Sequence, residues 1–139
     1  MVKKSAFTLI EIMVVLGIIA VLLSFVAPRV YNAMFRSDVK LTKMKMSSIK
    51  DAMLQYRQDM GHFPNKKEGG LQALITRPEG LGSEKWTGPY LNSEEEIVDK
   101  WGMEIEYNIP PLKYKQFKTY EIISAGGEAV DAQEIPDGV

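Results

Sequence analysis

Between Phe7 and Ala27 the chain is apolar at every position except Thr8, Glu11, Gly17 and Ser24. At about 1.5 Å per residue a helix of this stretch spans roughly 31 Å, the thickness of a bilayer's hydrocarbon core, so the pattern predicts one membrane-crossing helix over residues 7–29. Beyond Arg29 the apolar residues thin out to a spacing of three and four. Ile49, Ala52, Met53, Tyr56 and Met60 fall on one helix face, with Lys50, Asp51, Arg57, Gln58 and Asp59 elsewhere around it. Pro28 cannot donate its backbone hydrogen bond, so a kink or local unwinding is expected there, while the helix itself is expected to continue from Phe7 to Met60. Gly61 is a C-cap and Pro64 a stop. A short second helix is predicted over residues 70–76, with Leu71, Leu74 and Ile75 packed on the first. Residues 104–109 and 117–123 alternate as half-buried strands, separated by Pro110 and Pro111. Together the elements predict an α+β fold in which a long N-terminal helix packs on a small antiparallel sheet, with residues 30–139 as a head outside the membrane.

Charge and composition then remove most functional classes. Seventeen Lys and Arg against eighteen Asp and Glu give a net charge of −1, so no bulk charge draws the chain to nucleic acid. Without a single cysteine, there is no disulfide, thiol nucleophile or cysteine zinc site. His62 is the only histidine and sits in a Gly-His-Phe-Pro turn, where a lone histidine reads as surface or cap. No nucleophile elbow, glycine-rich phosphate loop or H-E-x-x-H helix is present, so the chain is not expected to be an enzyme. Trp86, Tyr90 and Trp101 lack an interleaved basic patch and read as core or inter-subunit packing. The methionines Met34, Met44, Met46, Met53 and Met60 read as packing surface rather than a soft-metal site.

The order of the N-terminal segments is unusual. Lys3 and Lys4 precede the apolar run, which by the positive-inside bias places the N-terminus in the cytoplasm and everything after Arg29 outside. The small pair Ser5 and Ala6 lies before the run, whereas a secretory signal carries its cleavage site after it. Glu11 is a carboxylate inside an apolar helix, and such a residue is a functional-site hypothesis by default. Lys3-Lys4-Ser5-Ala6 followed by Phe7-Thr8-Leu9-Ile10-Glu11 resembles the class III signal of type IV pilins and type II secretion pseudopilins. The resemblance implies that a prepilin peptidase removes residues 1–6, cutting between Ala6 and Phe7, and N-methylates Phe7. It also implies that Glu11 meets the Phe7 amine of a neighbouring subunit, a pairing that would be strong in a low dielectric. Pro28 stands where these proteins often carry a helix-bending proline, and Ala6 stands where glycine is usual.

Further along, Tyr56, Asp59, Phe63-Pro64, Glu68, Gly70-Leu71, Ala73-Leu74 and Arg77-Pro78 resemble the late-helix and turn pattern of the type II secretion major pseudopilins, with Gly69 as an extra glycine. Thr87 to Leu91 and Asp99 to Tyr107 continue the likeness, with Lys100 where proline is usual. Ser124-Ala125-Gly126 is similar to a loop that holds calcium in many of these proteins. The resemblance therefore implies a calcium site at Glu128, Asp131 and Glu134, with Gly127 and Gln133 as departures, against the reading that these acids are a solvated tail. It implies a pseudopilus subunit that self-polymerises to drive protein export. The implied partners are the prepilin peptidase, an inner-membrane assembly platform, minor pseudopilins and, before assembly, membrane lipid. A type IV or competence pilus subunit and a signal-anchored binding domain that never polymerises remain the alternatives. The expected location is the bacterial inner membrane, single-pass, with the head periplasmic or extracytoplasmic.

Overall fold

The computed structural model describes residues 7–80, 82–126 and 135–138. Its dominant element is helix α1, Leu9–Met60, which begins two residues later than the sequence suggests because Thr8 serves as its cap. The chain forms two compact units, Met1–Ser37 and Asp38–Val139. In the first, every residue from 7 to 34 is exposed, so nothing within the unit covers the apolar surface. Pro28 lies inside the helix, which is assigned without interruption on either side of it; the expected local unwinding is absent. A proline removes one rung of the ladder, and the intact turns flanking Pro28 carry the helix past the gap.

The second unit is built on the last turns of α1. Thr42, Met46, Ile49, Ala52, Met53 and Tyr56 are buried at a spacing of three and four, which extends the predicted face one turn and more toward the N-terminus. Met46 and Met53 are core residues and Met60 packs partly against them, whereas Met34 and Met44 are exposed, so the packing role holds for only some of the methionines. Gly61 adopts φ +84, a left-handed conformation that suits glycine, and its N–H reaches Arg57 O at 2.9 Å to close the helix.

Asn65 then caps a 3₁₀ turn at Lys66–Glu68, its side chain accepting from Lys67 and Glu68 N–H while the Glu68 carboxylate accepts from Asn65 N–H. The predicted second helix is a 3₁₀ helix, Gly70–Leu74, and ends earlier than expected. Leu71, Ala73 and Leu74 are buried, and Ile75 packs partly against the same core. The Leu74 carbonyl accepts from both Tyr90 and Leu91 N–H, which pins the Thr87–Leu91 segment to this helix. Trp86 joins in by donating its indole N–H to Ala73 O at 2.9 Å, and Trp86, Tyr90 and Trp101 all pack on the core as the sequence suggests.

Among the described residues the sheet has three strands, β1 (Glu106–Asn108), β2 (Glu121–Ser124) and β3 (Ile135–Gly138), antiparallel in the order β1-β2-β3. Two strands were expected; both are shorter than predicted, and β3, which holds Asp137, was not among them. Pro136 and Gly138 are poor strand formers, and pairing with β2 overrides that local preference. β2 is also not half-buried, since all four of its residues are inaccessible. As the central strand it is covered on both faces and paired at both edges.

Candidate functional site

At the start of α1, Glu11 has a partner that the sequence reading missed. Glu11 N–H donates to Thr8 Oγ1 at 3.3 Å and Thr8 N–H donates to Glu11 Oε2 at 3.4 Å, which is the reciprocal capping box of a Thr-x-x-Glu sequence. The signal was legible in Thr8-Leu9-Ile10-Glu11. The box serves two of the amide groups that a helix start otherwise leaves unpaired, and it places a carboxylate at the positive end of the helix dipole. Phe7 is 77% exposed beside it. Ala6 lies outside the described residues, and Pro28 lies more than four turns further along the same helix, so the structure brings Phe7, Thr8 and Glu11 together but not Pro28.

In the head, the buried carboxylate of Glu121 organises the loop between β1 and β2. Its Oε1 accepts from Asn108 Nδ2 at 3.1 Å and from Leu112 and Lys113 N–H at 2.8 Å each, and its Oε2 accepts from Tyr114 N–H at 2.8 Å. Burial pushes this carboxyl upward, but the amides of Lys113, Tyr114 and Leu112 and the Asn108 side chain outweigh it and pull the group down to about 2. No spacing rule marks such a nest from sequence.

A second buried acid, Asp99, works at the mouth of the β2–β3 connection. Its Oδ1 accepts from Trp101 and Met103 N–H at 3.0 and 2.9 Å, and its Oδ2 accepts from Ser124 Oγ at 2.7 Å. Ser124 Oγ in turn accepts from Gly126 N–H, and Lys100 N–H donates to the buried Thr42 on α1. Ser124 pairs in register with Ile135, so the segment between them is closed at its base by the sheet. The implied calcium ligands Glu128, Asp131 and Glu134, with Gly127 and Gln133, lie in that segment outside the described residues. Lys50 completes the anchoring by donating to Asp137 Oδ1 at 2.8 Å, which ties β3 to α1.

The remaining polar clusters are local. Asp59 accepts from Thr87 Oγ1 at 2.5 Å and Tyr90 Oη at 2.7 Å; the Thr87 hydroxyl first, then the Tyr90 hydroxyl, hold its carboxyl below the ordinary range. His62 places Nδ1 3.0 Å from Phe63 O and Nε2 3.5 Å from Glu68, a turn contact as expected. Among the described residues no three acids, histidines or cysteines gather where they could hold a metal. The surface that stands out is instead that of α1, the one described helix long and apolar enough to cross a membrane.

Comparison with known proteins agrees with this emphasis. Residues 29–137 match the family described as type II secretion system protein G, and residues 1–27 match the prokaryotic N-terminal methylation motif. The chain is 34% identical over 128 residues to type II secretion system core protein G of Pseudomonas aeruginosa, an alignment that covers 91% of this chain and 87% of that protein. To the protein of the same name from Xanthomonas campestris it is 30% identical over 123 residues, covering 88% and 78%. The fold resembles the crystal structure of the major pseudopilin from the type 2 secretion system of enterohaemorrhagic Escherichia coli. That likeness has a TM-score of 0.53 at 20% identity and covers 73% of this chain and 87% of the other.

Proposed function

The chain belongs to the type II secretion system protein G family, and from that premise we propose how this structural subunit of the pseudopilus is processed, assembled and stabilised. The single observation that carries the reading is an exposed apolar helix whose first turn holds one carboxylate next to Phe7. Prepilin peptidase cuts between Ala6 and Phe7 and methylates the new amine. The helix stays in the inner membrane with the head outside until the assembly platform adds the subunit, together with minor pseudopilins, to the filament. Intact mass spectrometry of the membrane-bound protein tests the reading directly: the chain begins at methylated Phe7. A chain beginning at Met1, or cut after Ala27, would refute it.

Glu11 in this proposal does two things in sequence. In the single subunit it closes the capping box; in the filament its charge receives the Phe7 amine of the next subunit. Glu11→Gln keeps an acceptor for Thr8 N–H and loses only the charge, whereas Glu11→Ala loses both. Both variants are expected to insert and be cleaved while giving little crosslinked polymer in membranes, with Glu11→Ala alone also fraying the first helical turn. Wild-type polymer from Glu11→Gln would show that the carboxylate acts only as a cap.

Calcium is the proposed ligand of the segment between Ser124 and Ile135, through Glu128, Asp131 and Glu134. Support comes from the acids in the sequence and from the base closed by the Ser124–Ile135 pairing. Binding to the folded state alone stabilises by mass action, about 2.7 kcal/mol at a hundred times the dissociation constant. The head is therefore expected to melt higher in calcium than in chelator, a difference that Glu128→Ala or Glu134→Ala abolishes. Equal melting up to millimolar calcium would leave the segment held by packing alone.

A further inference from the structure

Resting on the filament reading above, we propose that the heads of this chain dock side to side, with the lysine flank of α1 at Lys40 and Lys43 seated against the acidic 3₁₀ turn Glu94–Ile97 of a second copy. The net charge of −1 hides an uneven distribution. Residues 38–50 carry four lysines against Asp38 alone, whereas residues 51–139 carry nine Lys and Arg against sixteen Asp and Glu. At about 100° per residue, Lys40 and Lys43 lie roughly 140–160° around α1 from Lys45, on the opposite flank of the helix. Lys45 marks the side of the acidic turn, because its ammonium donates to Glu95 O at 2.7 Å and to Val98 O at 2.9 Å. The head therefore presents cations on one flank of α1 and carboxylates on the other.

Neither patch is neutralised within the chain. Lys40 and Lys43 are exposed and form no ion pair among the described residues, while Lys50, seven residues beyond Lys43, is already held by Asp137. Glu94 and Glu95 are exposed too. The Glu94 carboxylate accepts from the Gln72 amide and that of Glu96 from Asn92 N–H, and the Lys45 ammonium is spent on main-chain carbonyls, so the turn keeps its negative charge. Between the two flanks, exposed Leu41 and Met44 line an open groove of about 480 Å³ with Ser47, Ser48 and Lys100. A head seated on Lys40 and Lys43 covers Met44 at the near side of this groove. Charge complementarity selects the occupant: the acids that suit the lysines are on the same chain but turned to the opposite flank, and only another copy can bring them round. Because the two patches differ and face apart, each copy offers one patch to each neighbour, and the contact repeats from copy to copy as a filament requires.

The absence of native cysteine allows a direct test. In the full-length protein in membranes, Ser47→Cys, one turn beyond Lys43 on the lysine flank, is combined with Ser93→Cys at the start of the acidic turn. Mild oxidation is expected to give a ladder of disulfide-linked multimers that neither single variant gives. Adding Lys40→Glu with Lys43→Glu is expected to weaken the ladder roughly fivefold to tenfold, the scale of two partly exposed ion pairs turned repulsive. Adding Glu94→Lys with Glu95→Lys to that same chain is expected to restore it, which separates charge pairing from a folding defect. No ladder from the cysteine pair, a ladder indifferent to the lysine substitutions, or no recovery in the charge-swapped chain would overturn the proposal. So would an effect of the lysine substitutions confined to vesicles of anionic lipid, which would assign the lysines to headgroups. If wild-type chains still begin at methylated Phe7 and form filaments visible by electron microscopy, such results leave the filament reading standing; wild-type chains that form no filaments would remove both.

Discussion

Glu121→Gln is expected to unfold the head at temperatures the native protein tolerates. The carboxylate is fully buried and accepts three main-chain N–H groups and one side-chain amide. Glutamine keeps one acceptor oxygen and turns the other into a donor, which then faces N–H groups that have no water to turn to. Disrupting a buried, hydrogen-bonded charge in this way costs roughly 3–5 kcal/mol. For a head of this size that is a fall in melting temperature of about 15 °C or more. Glu106→Gln is the control, since that carboxylate lies near the surface, pairs with Lys113 and Asn108, and is expected to shift melting only slightly.

The same carboxylate sets a pH dependence of definite sign. Because its folded value lies at about 2, below the ordinary 4.5, the folded state holds its proton less tightly than the unfolded chain does. The stabilisation is fully present above pH 4.5 and is lost as the pH falls toward 2. Acid unfolding monitored by near-ultraviolet circular dichroism is expected to begin in that window, and a head that keeps its tertiary signal to pH 2 would refute the assignment.

Gly138→Ala carries the second large effect. A Cβ on Gly138 would lie 2.4 Å from the Tyr120 carbonyl oxygen and 2.8 Å from Phe117 Cγ, and the carbonyl belongs to a backbone that cannot yield. Relief requires β3 to move off β2 at the Glu121–Gly138 pair, which also pulls Asp137 from Lys50. Overpacking of this kind costs about 1–3 kcal/mol. Faster amide exchange along Glu121–Ser124, together with lower melting, is the expected result. Gly17→Ala, where nothing lies within 4 Å of the added carbon, should leave both unchanged.

The long helix was legible because periodicity and capping act locally: one apolar span, one three-and-four face, one glycine–proline stop. The capping box at Thr8 and Glu11 was equally local and was missed because the carboxylate was read only for its charge. The sheet was harder. β2 looks like an ordinary alternating strand, and only its central place, with β3 supplied from fourteen residues downstream of its start, buries Glu121 and Ser124 along with the isoleucines. Alternation at Phe117 pointed to a longer strand, but Phe117 is used to pack against Gly138 and Tyr114 instead. The Asp99 and Glu121 networks depend on loop amides gathered from several segments, and no residue spacing announces that gathering.

The pairing of Lys50 with Asp137 joins residues 87 positions apart, and among the described strands β3 comes last along the chain. During synthesis, α1 with its exposed apolar stretch therefore leaves the ribosome long before the sheet can close. Until Gly138 emerges, β2 has a bare edge and the core face of α1 has no complete lid. The exposed apolar helix is thus complete before the sheet can close, and the unfinished head passes through its most aggregation-prone interval with that helix already made.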